Sequence, residues 1–289
     1  MDIPRAFHGF GVNTDNKQKT YFLRDSYLMA MVASAVCWKD LGGKIDLVID
    51  KKIHKHFIDL GFGCLYDEVI PLEMPKSIDP RFFWASGKML AFDCYNEPIA
   101  SIDPDLMVWK QLEYEDSDVV MFHEDDQNMK YYRDPEKHTR HFDESYNLKS
   151  QPFNAAFLLF NDMDFKRYST KKWMSFMEKH KKYSDGISLK PSGETQVFLE
   201  QAGISCFANK QGKTIKTIFD NPGSGETIDN EFCWHIWGLK GLLKPKALKK
   251  EINKKIIKNM GAEIFKIMNI LEVPCNPKKL ENFILKIER

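Results

Sequence analysis

Two carboxylates two residues apart at the end of an apolar run have the type and spacing to hold a divalent cation. They are Asp103 and Asp105 in Ala100-Ser101-Ile102-Asp103-Pro104-Asp105-Leu106. On extended backbone, side chains at i and i+2 lie on the same side. Pro104 fixes its own φ and steers Asp103 away from helical geometry, so the pair is expected in an extended or turn conformation. A cation held there can grip a diphosphate. The triplet alone says little: with 23 Asp in 289 residues, about two such steps arise by chance, and three occur. Asp116/Asp118 lies in an acidic run that reads as a surface loop, and Asp162/Asp164 opens a helical pattern where Asp commonly caps. Only Asp103/Asp105 ends a buried-looking strand, and ligands of open α/β sheets bind beyond the carboxyl ends of strands.

Other chemistry-bearing residues have two readings each. His235, between Trp234 and Trp237, is either a packed core histidine or a metal ligand. Phe83-Trp84 is either core or a stacking platform, and Lys88 is either an exposed helix residue or a phosphate partner. Glu194 is either a helix-start carboxylate favoured by the macrodipole or a functional acid. His54/His56 and His138/His141 have ligand-like spacings without a third partner and read as surface residues.

The elements that must position these residues follow from hydrophobic periodicity. A strand over 6–11 leads to a helix over about 24–40 with Leu28, Met31, Val32, Ala35 and Val36 on one face, stopped by Gly42-Gly43. A strand ending in Asp50, a short helix over 52–60, a strand at 68–71, a helix over about 80–94 and the strand before Asp103 complete a β-α-β-α-β-α-β alternation. That order predicts an α/β fold with a mostly parallel sheet flanked by helices. Strands are expected at 119–122, 153–160 and 204–207, and helices over about 165–181 and 194–203. Residues 123–150 read as a long surface excursion of the kind that tends to be functional. A helical period runs from Pro245 to Leu271.

A net charge of +1 conceals an asymmetry: residues 240–289 carry 13 Lys and Arg against five Glu, a net +8 that suggests an anionic partner. The six scattered Cys include no C-x-x-C pair, which fits a reduced cytoplasmic setting. No apolar run approaches the roughly 18 residues of a membrane span, and residues 1–5 do not resemble a signal peptide. The expected location is therefore cytoplasmic, with a peripheral membrane surface, or the host cytoplasm for a viral protein, as variants of it.

The order of these motifs resembles bacterial- or phage-type glycosyltransferases with the GT-A fold, and more distantly glycogenin-type enzymes. The quoted residues are the strand end at Asp50, Phe83-Trp84…Lys88, Ile102-Asp103-Pro104-Asp105, Phe153-Asn154-Ala155 and His235-x-x-Gly238-x-Lys240. The resemblance implies a transferase domain over 1–245 with a basic helical extension over 246–289. It implies Asp103, Asp105 and His235 as ligands of Mn²⁺ or Mg²⁺ holding the diphosphate of a nucleotide-sugar donor. Asp50, Trp84, Lys88, Asn154, Ala155, Gly238 and Lys240 would then contact that donor. Asp105 and Glu194 would take catalytic roles, although the relatives' Glu-Gln pair appears here as Thr195-Gln196, with Glu194 one position earlier. Ser101, where His is common in relatives, and Ala156, where Gly is common, depart from their pattern. Two carboxylates and an imidazole suit these cations better than thiolate-loving metals.

Three functions stay open at this level. The sugar goes to a glycan or lipid-linked glycan, with the basic helix on an anionic surface. Alternatively it goes to a hydroxymethylated base in nucleic acid, with base flipping for a duplex. In the third, the chain is a non-catalytic sugar- or nucleic-acid-binding protein on a transferase scaffold.

Overall fold

The structure is a computed structural model and describes residues 3–11, 20–186, 193–220, 228–236, 245–260, 267 and 282–286. The first half runs β1 (Ala6–Phe10), β2 (Thr20–Arg24), α1 (Asp25–Asp40), β3 (Ile45–Asp50), α2 (Lys51–Asp59), β4 (Val69–Leu72), α3 (Ser86–Ala91), β5 (Ile99–Ile102), β6 (Leu106–Val108) and β7 (Val119–Glu124). The second half runs β8 (Phe153–Phe160), α4 (Met163–Gly186), α5 (Gly193–Val197), α6 (Gly203–Gln211), β9 (Ile215–Phe219), β10 (Cys233–His235), α7 (Pro245–Met260) and β11 (Asn282–Lys286).

Seven strands form the central sheet in the order β4-β3-β1-β5-β8-β7-β9, and only β8 runs against the rest. The fold is thus α/β with a mostly parallel sheet flanked by helices, as the alternation predicts. β3, β5 and β8 are buried along their whole length, which is why apolar residues dominate both of their faces. Alternate residues of these strands feed two apolar clusters. On β3, for example, Ile45, Leu47 and Ile49 enter one cluster and Val48 the other. The nearly all-apolar α1 lies in the first cluster, and α4 contributes Phe165, Trp173 and Phe176 to the second. α2 is capped by Asp50, whose Oδ1 accepts from the Lys52 N–H at 2.9 Å, and buries Ile53 and Phe57.

Three local features carry β5 toward a site. The Leu106 N–H bonds the Asp103 carbonyl at 2.9 Å, closing a turn with Pro104 at its second position. β6 then leaves the sheet and pairs antiparallel with β10, setting Leu106 opposite His235. Finally, α3 crosses β1 at a distance only glycine allows: a Cβ on Gly9 would lie 2.4 Å from the Lys88 Cα, and one on Gly87 2.3 Å from the Gly11 nitrogen.

Some expectations are corrected. Residues 204–207 belong to α6, not a strand, because an apolar run of four suits a buried helix equally well. The edge strand is β9 instead, and it joins β7 in parallel. The helix expected over 80–94 shrinks to α3, preceded by turns and followed by a 3₁₀ turn over Phe92–Cys94. α7 packs on α1, with Leu248, Ile252 and Ile256 in the first apolar cluster and Lys250, Lys254 and Lys258 exposed. Among the described residues, no helix is long and apolar enough to cross a membrane.

Candidate metal centre

The turn after β5 and the end of β10 bring Asp103, Asp105 and His235 together. Each offers one ligand atom, and these atoms lie within 4.8 Å of one another. His235 Nε2 is 3.8 Å from Asp103 Oδ2. The Asp103 N–H bonds the Ala156 carbonyl of β8 at 2.7 Å, and the Ile236 N–H bonds the Asp105 carbonyl at 3.2 Å. Backbone bonds thus fix both carboxylate-bearing residues against neighbouring strands. Asp105 and His235 are each 3% exposed, whereas Asp103 opens toward solvent. Gathering two carboxylates and an imidazole in a mostly buried corner is costly unless a cation joins them. The oxygen-rich set with one nitrogen fits a divalent cation such as Mn²⁺ or Mg²⁺.

Lys88 is not an exposed helix residue. Its Nζ lies 2.6 Å from Asp103 Oδ1 and 2.7 Å from Glu200 Oε1, and also bonds the Ala155 carbonyl. Burial by itself would lower the lysine's pKa, but the carboxylates of Asp103 and Glu200 outweigh it and raise the pKa above the ordinary lysine value. Glu200 sits on a π-helical stretch over Phe198–Ala202, a distortion often found at functional sites. Burial pushes its carboxyl above the usual range, with Lys88 opposing that shift. Gln196 donates to Glu200 Oε2 at 3.2 Å and is fully buried.

The remaining candidates are placed as follows. Asn154 and Ala155 open β8 at the carboxyl edge of the parallel strands. The Asn154 Oδ1 accepts from the Ala156 N–H at 2.9 Å, and the Ala155 carbonyl is taken by Lys88. Asp50 ends β3 on the same edge and serves as the cap of α2. Trp84 is 45% exposed just before α3, with its ring against Gly193. Glu194 pairs with Lys137 of the excursion at 2.7 Å. Gly238 and Lys240 lie outside the described residues.

Sequence reasoning missed Glu200, since nothing local marks a glutamate whose partner comes from a distant helix. It also missed a second polar network on this edge. Tyr132 donates to Asp125 Oδ2 at 2.7 Å and meets the Gln201 amide oxygen, while His123 donates from Nδ1 to the Glu124 carbonyl at 2.8 Å. Burial raises the Asp125 carboxyl to about 6 and lowers His123 to about 4. The other D-x-D steps do structural work: Asp162 caps α4 through the Phe165 N–H, and Asp118 latches Thr214 ahead of β9. His138 and His141 are buried, which corrects their reading as surface residues.

Comparisons with known proteins bear on this geometry. The sequence model described as "Family of unknown function (DUF6734)" matches residues 1–260. No curated protein matches the chain. Among solved structures, the apo-form glycosyltransferase GlyE of Streptococcus pneumoniae TIGR4 is similar at 14% identity and a TM-score of 0.37, covering 96% of this chain and 53% of that one. Mouse xyloside xylosyltransferase 1, apo form, is similar at 10% identity and a TM-score of 0.38, covering 74% and 84%. The galactosyltransferase LgtC, in complex with donor and acceptor sugar analogs, is similar at 14% identity and a TM-score of 0.39, covering 69% and 71%. This chain spans about half the length of GlyE. The fold class rests on the strand order given above.

Proposed function

The chain belongs to the DUF6734 family, and we propose that it is a metal-dependent glycosyltransferase that moves a sugar from a nucleotide-sugar donor to a glycan or lipid-linked glycan. The observation that carries this reading is the Asp103–Asp105–His235 cluster at the carboxyl edge of a mostly parallel sheet. These three side chains would hold Mn²⁺ or Mg²⁺, which when bound supplies positive charge to the departing diphosphate.

The chain's own residues then have distinct tasks. Lys88 fixes the rotamer of Asp103 by gripping Oδ1 while anchored on the Ala155 carbonyl. Asn154 keeps its oxygen on the backbone, leaving its NH₂ to donate to a sugar hydroxyl. Glu194, at the start of α5, is the candidate carboxylate for the reacting sugar, and Trp84, Asp50, Gly238 and Lys240 are the further donor contacts. Glu200 holds the Lys88 ammonium together with Asp103. The exposed lysines of α7 offer attraction to an anionic acceptor surface.

Calorimetry with nucleoside diphosphates in Mn²⁺ or in chelator tests this. Binding that requires the metal and is lost in both Asp103→Ala and Asp105→Ala supports the proposal, as does slow metal-dependent hydrolysis of a nucleotide sugar. Nucleotide affinity unchanged by chelator and by both substitutions would sink it.

A further inference from the structure

β1, the neighbour of β5 in the sheet, sets two successive residues on opposite sides of it. Gly9, on one face, lets α3 come close enough for Lys88 to reach Asp103. His8 points to the other face, toward α1, and begins a buried polar chain. The Tyr66 hydroxyl is 2.8 Å from His8 Nδ1, and His8 Nε2 is 3.1 Å from Ser34 Oγ. The Ser34 hydroxyl donates to the carbonyl of Leu106. Tyr66, His8, Ser34 and Leu106 are each 3% exposed or less.

The direction of this chain is fixed from its carbonyl end. A carbonyl only accepts, so the single Ser34 proton is spent on Leu106 and the Ser34 oxygen must accept from His8 Nε2–H. His8 Nδ1 is then the bare nitrogen that accepts from Tyr66. Burial holds the ring neutral, lowering its pKa to about 3 against the pull of Asp103, which agrees with this single-proton arrangement.

Leu106 is where the chain matters. It follows Asp105, its N–H closes the turn onto Asp103, and it lies opposite His235 in the β6–β10 pair. The carbonyl that Ser34 holds therefore belongs to the residue that closes the acidic turn and lies opposite His235. We infer that Tyr66, His8 and Ser34 form a positioning relay that sets the cation affinity of the Asp103–Asp105–His235 centre without touching the ion. This rests on the reading that the centre holds a divalent cation. Partners of this remote kind change metal affinity by about 10- to 100-fold when removed from characterised sites.

Titration of the full-length chain with Mn²⁺ alone, alongside thermal melts, tests the relay. Ser34→Ala should weaken Mn²⁺ binding about 10-fold. Tyr66→Phe, which keeps the ring and deletes one hydroxyl, should weaken it by a smaller factor. Ser34→Thr, which restores the hydroxyl, should recover affinity. Ile53→Ala removes buried apolar volume on α2 and serves as the control: it should lower the melting temperature and leave Mn²⁺ affinity alone. Ser34→Ala and Tyr66→Phe that melt early yet bind Mn²⁺ as the unaltered chain does, while Asp105→Ala fails to bind, would overturn the relay and spare the metal centre. An unaltered chain that takes up no Mn²⁺ would overturn both.

Discussion

Two groups of buried histidine show how neighbours decide what an imidazole can do. His235 sits beside two carboxylates, so its corner favours added positive charge. His138, His141 and His180 are equally buried but surrounded by rings: His138 stacks on Phe198 at 4.2 Å, and His180 lies 4.5 Å from Phe82 and 4.8 Å from His141. In the second group, His138 Nε2, His141 Nδ1 and His180 Nδ1 have no hydrogen-bond partner among the described residues. Burial, reinforced by the positive charges of Lys137, Arg140 and Lys179 and by the neighbouring imidazoles, lowers His138 to about 3 and His141 to about 4. Burial also lowers His180, with Asp79 opposing it. The same side chain stands among carboxylates in one corner and is kept from becoming a cation in the other.

Removing the carboxylates breaks the contrast most severely. Asp105→Ala should abolish metal-dependent nucleotide binding and reduce turnover by ~10²-fold or more, by analogy with losing a group that stabilises transition-state charge. Lys88→Met should come next, since it strands the Asp103 and Glu200 carboxylates: a loss of roughly 3–5 kcal/mol by chemical denaturation. Adding Glu200→Gln to Lys88→Met should recover part of that stability without recovering nucleotide affinity.

The aromatic-enclosed histidines sharpen the contrast through pH. Their folded pKa values lie below the unfolded value of about 6.5, so the unfolded chain binds more protons below neutrality and stability falls as pH falls. The stability is fully present above about 6.5 and is lost toward pH 3–4; for His138 alone the loss from pH 7 to pH 5 is about 2 kcal/mol. Denaturant curves across that range should show it, and His138→Phe should flatten the slope; an unaltered slope would mean that His138 is charged in the folded protein. The smallest effect is expected at exposed Trp84, where Trp84→Ala should change stability by no more than about 0.5 kcal/mol. A fall in nucleotide affinity in that variant would mark the ring as a binding platform.

The legible parts of this chain were those whose signal is local. Asp103-Pro104-Asp105 announces a turn after an apolar strand, and α1, β3 and β8 show their periods in consecutive residues. What stayed hidden depends on pairings between distant segments. β10 is three residues long and acquires its identity only by pairing with β6. Glu200 matters because Lys88 meets it, and His138 and His141 are interior because α4 and the Phe198–Ala202 segment cover them. The run at 204–207 misled because length and apolarity do not separate a buried strand from a buried helix.

The reversed direction of β8 has a consequence for how this edge is furnished. Strands that run with the sheet offer their last residues there, where the chain is about to depart into a loop. β8 arrives instead with its opening residues, so Asn154 is held opposite His123 by the β7 ladder, and Ala155 falls just after it where that register shifts. A slip of one residue in that ladder would turn Asn154 to the opposite face and shift the carbonyl on which Lys88 rests. Selection on this strand should therefore act on its alignment at least as strongly as on its side chains.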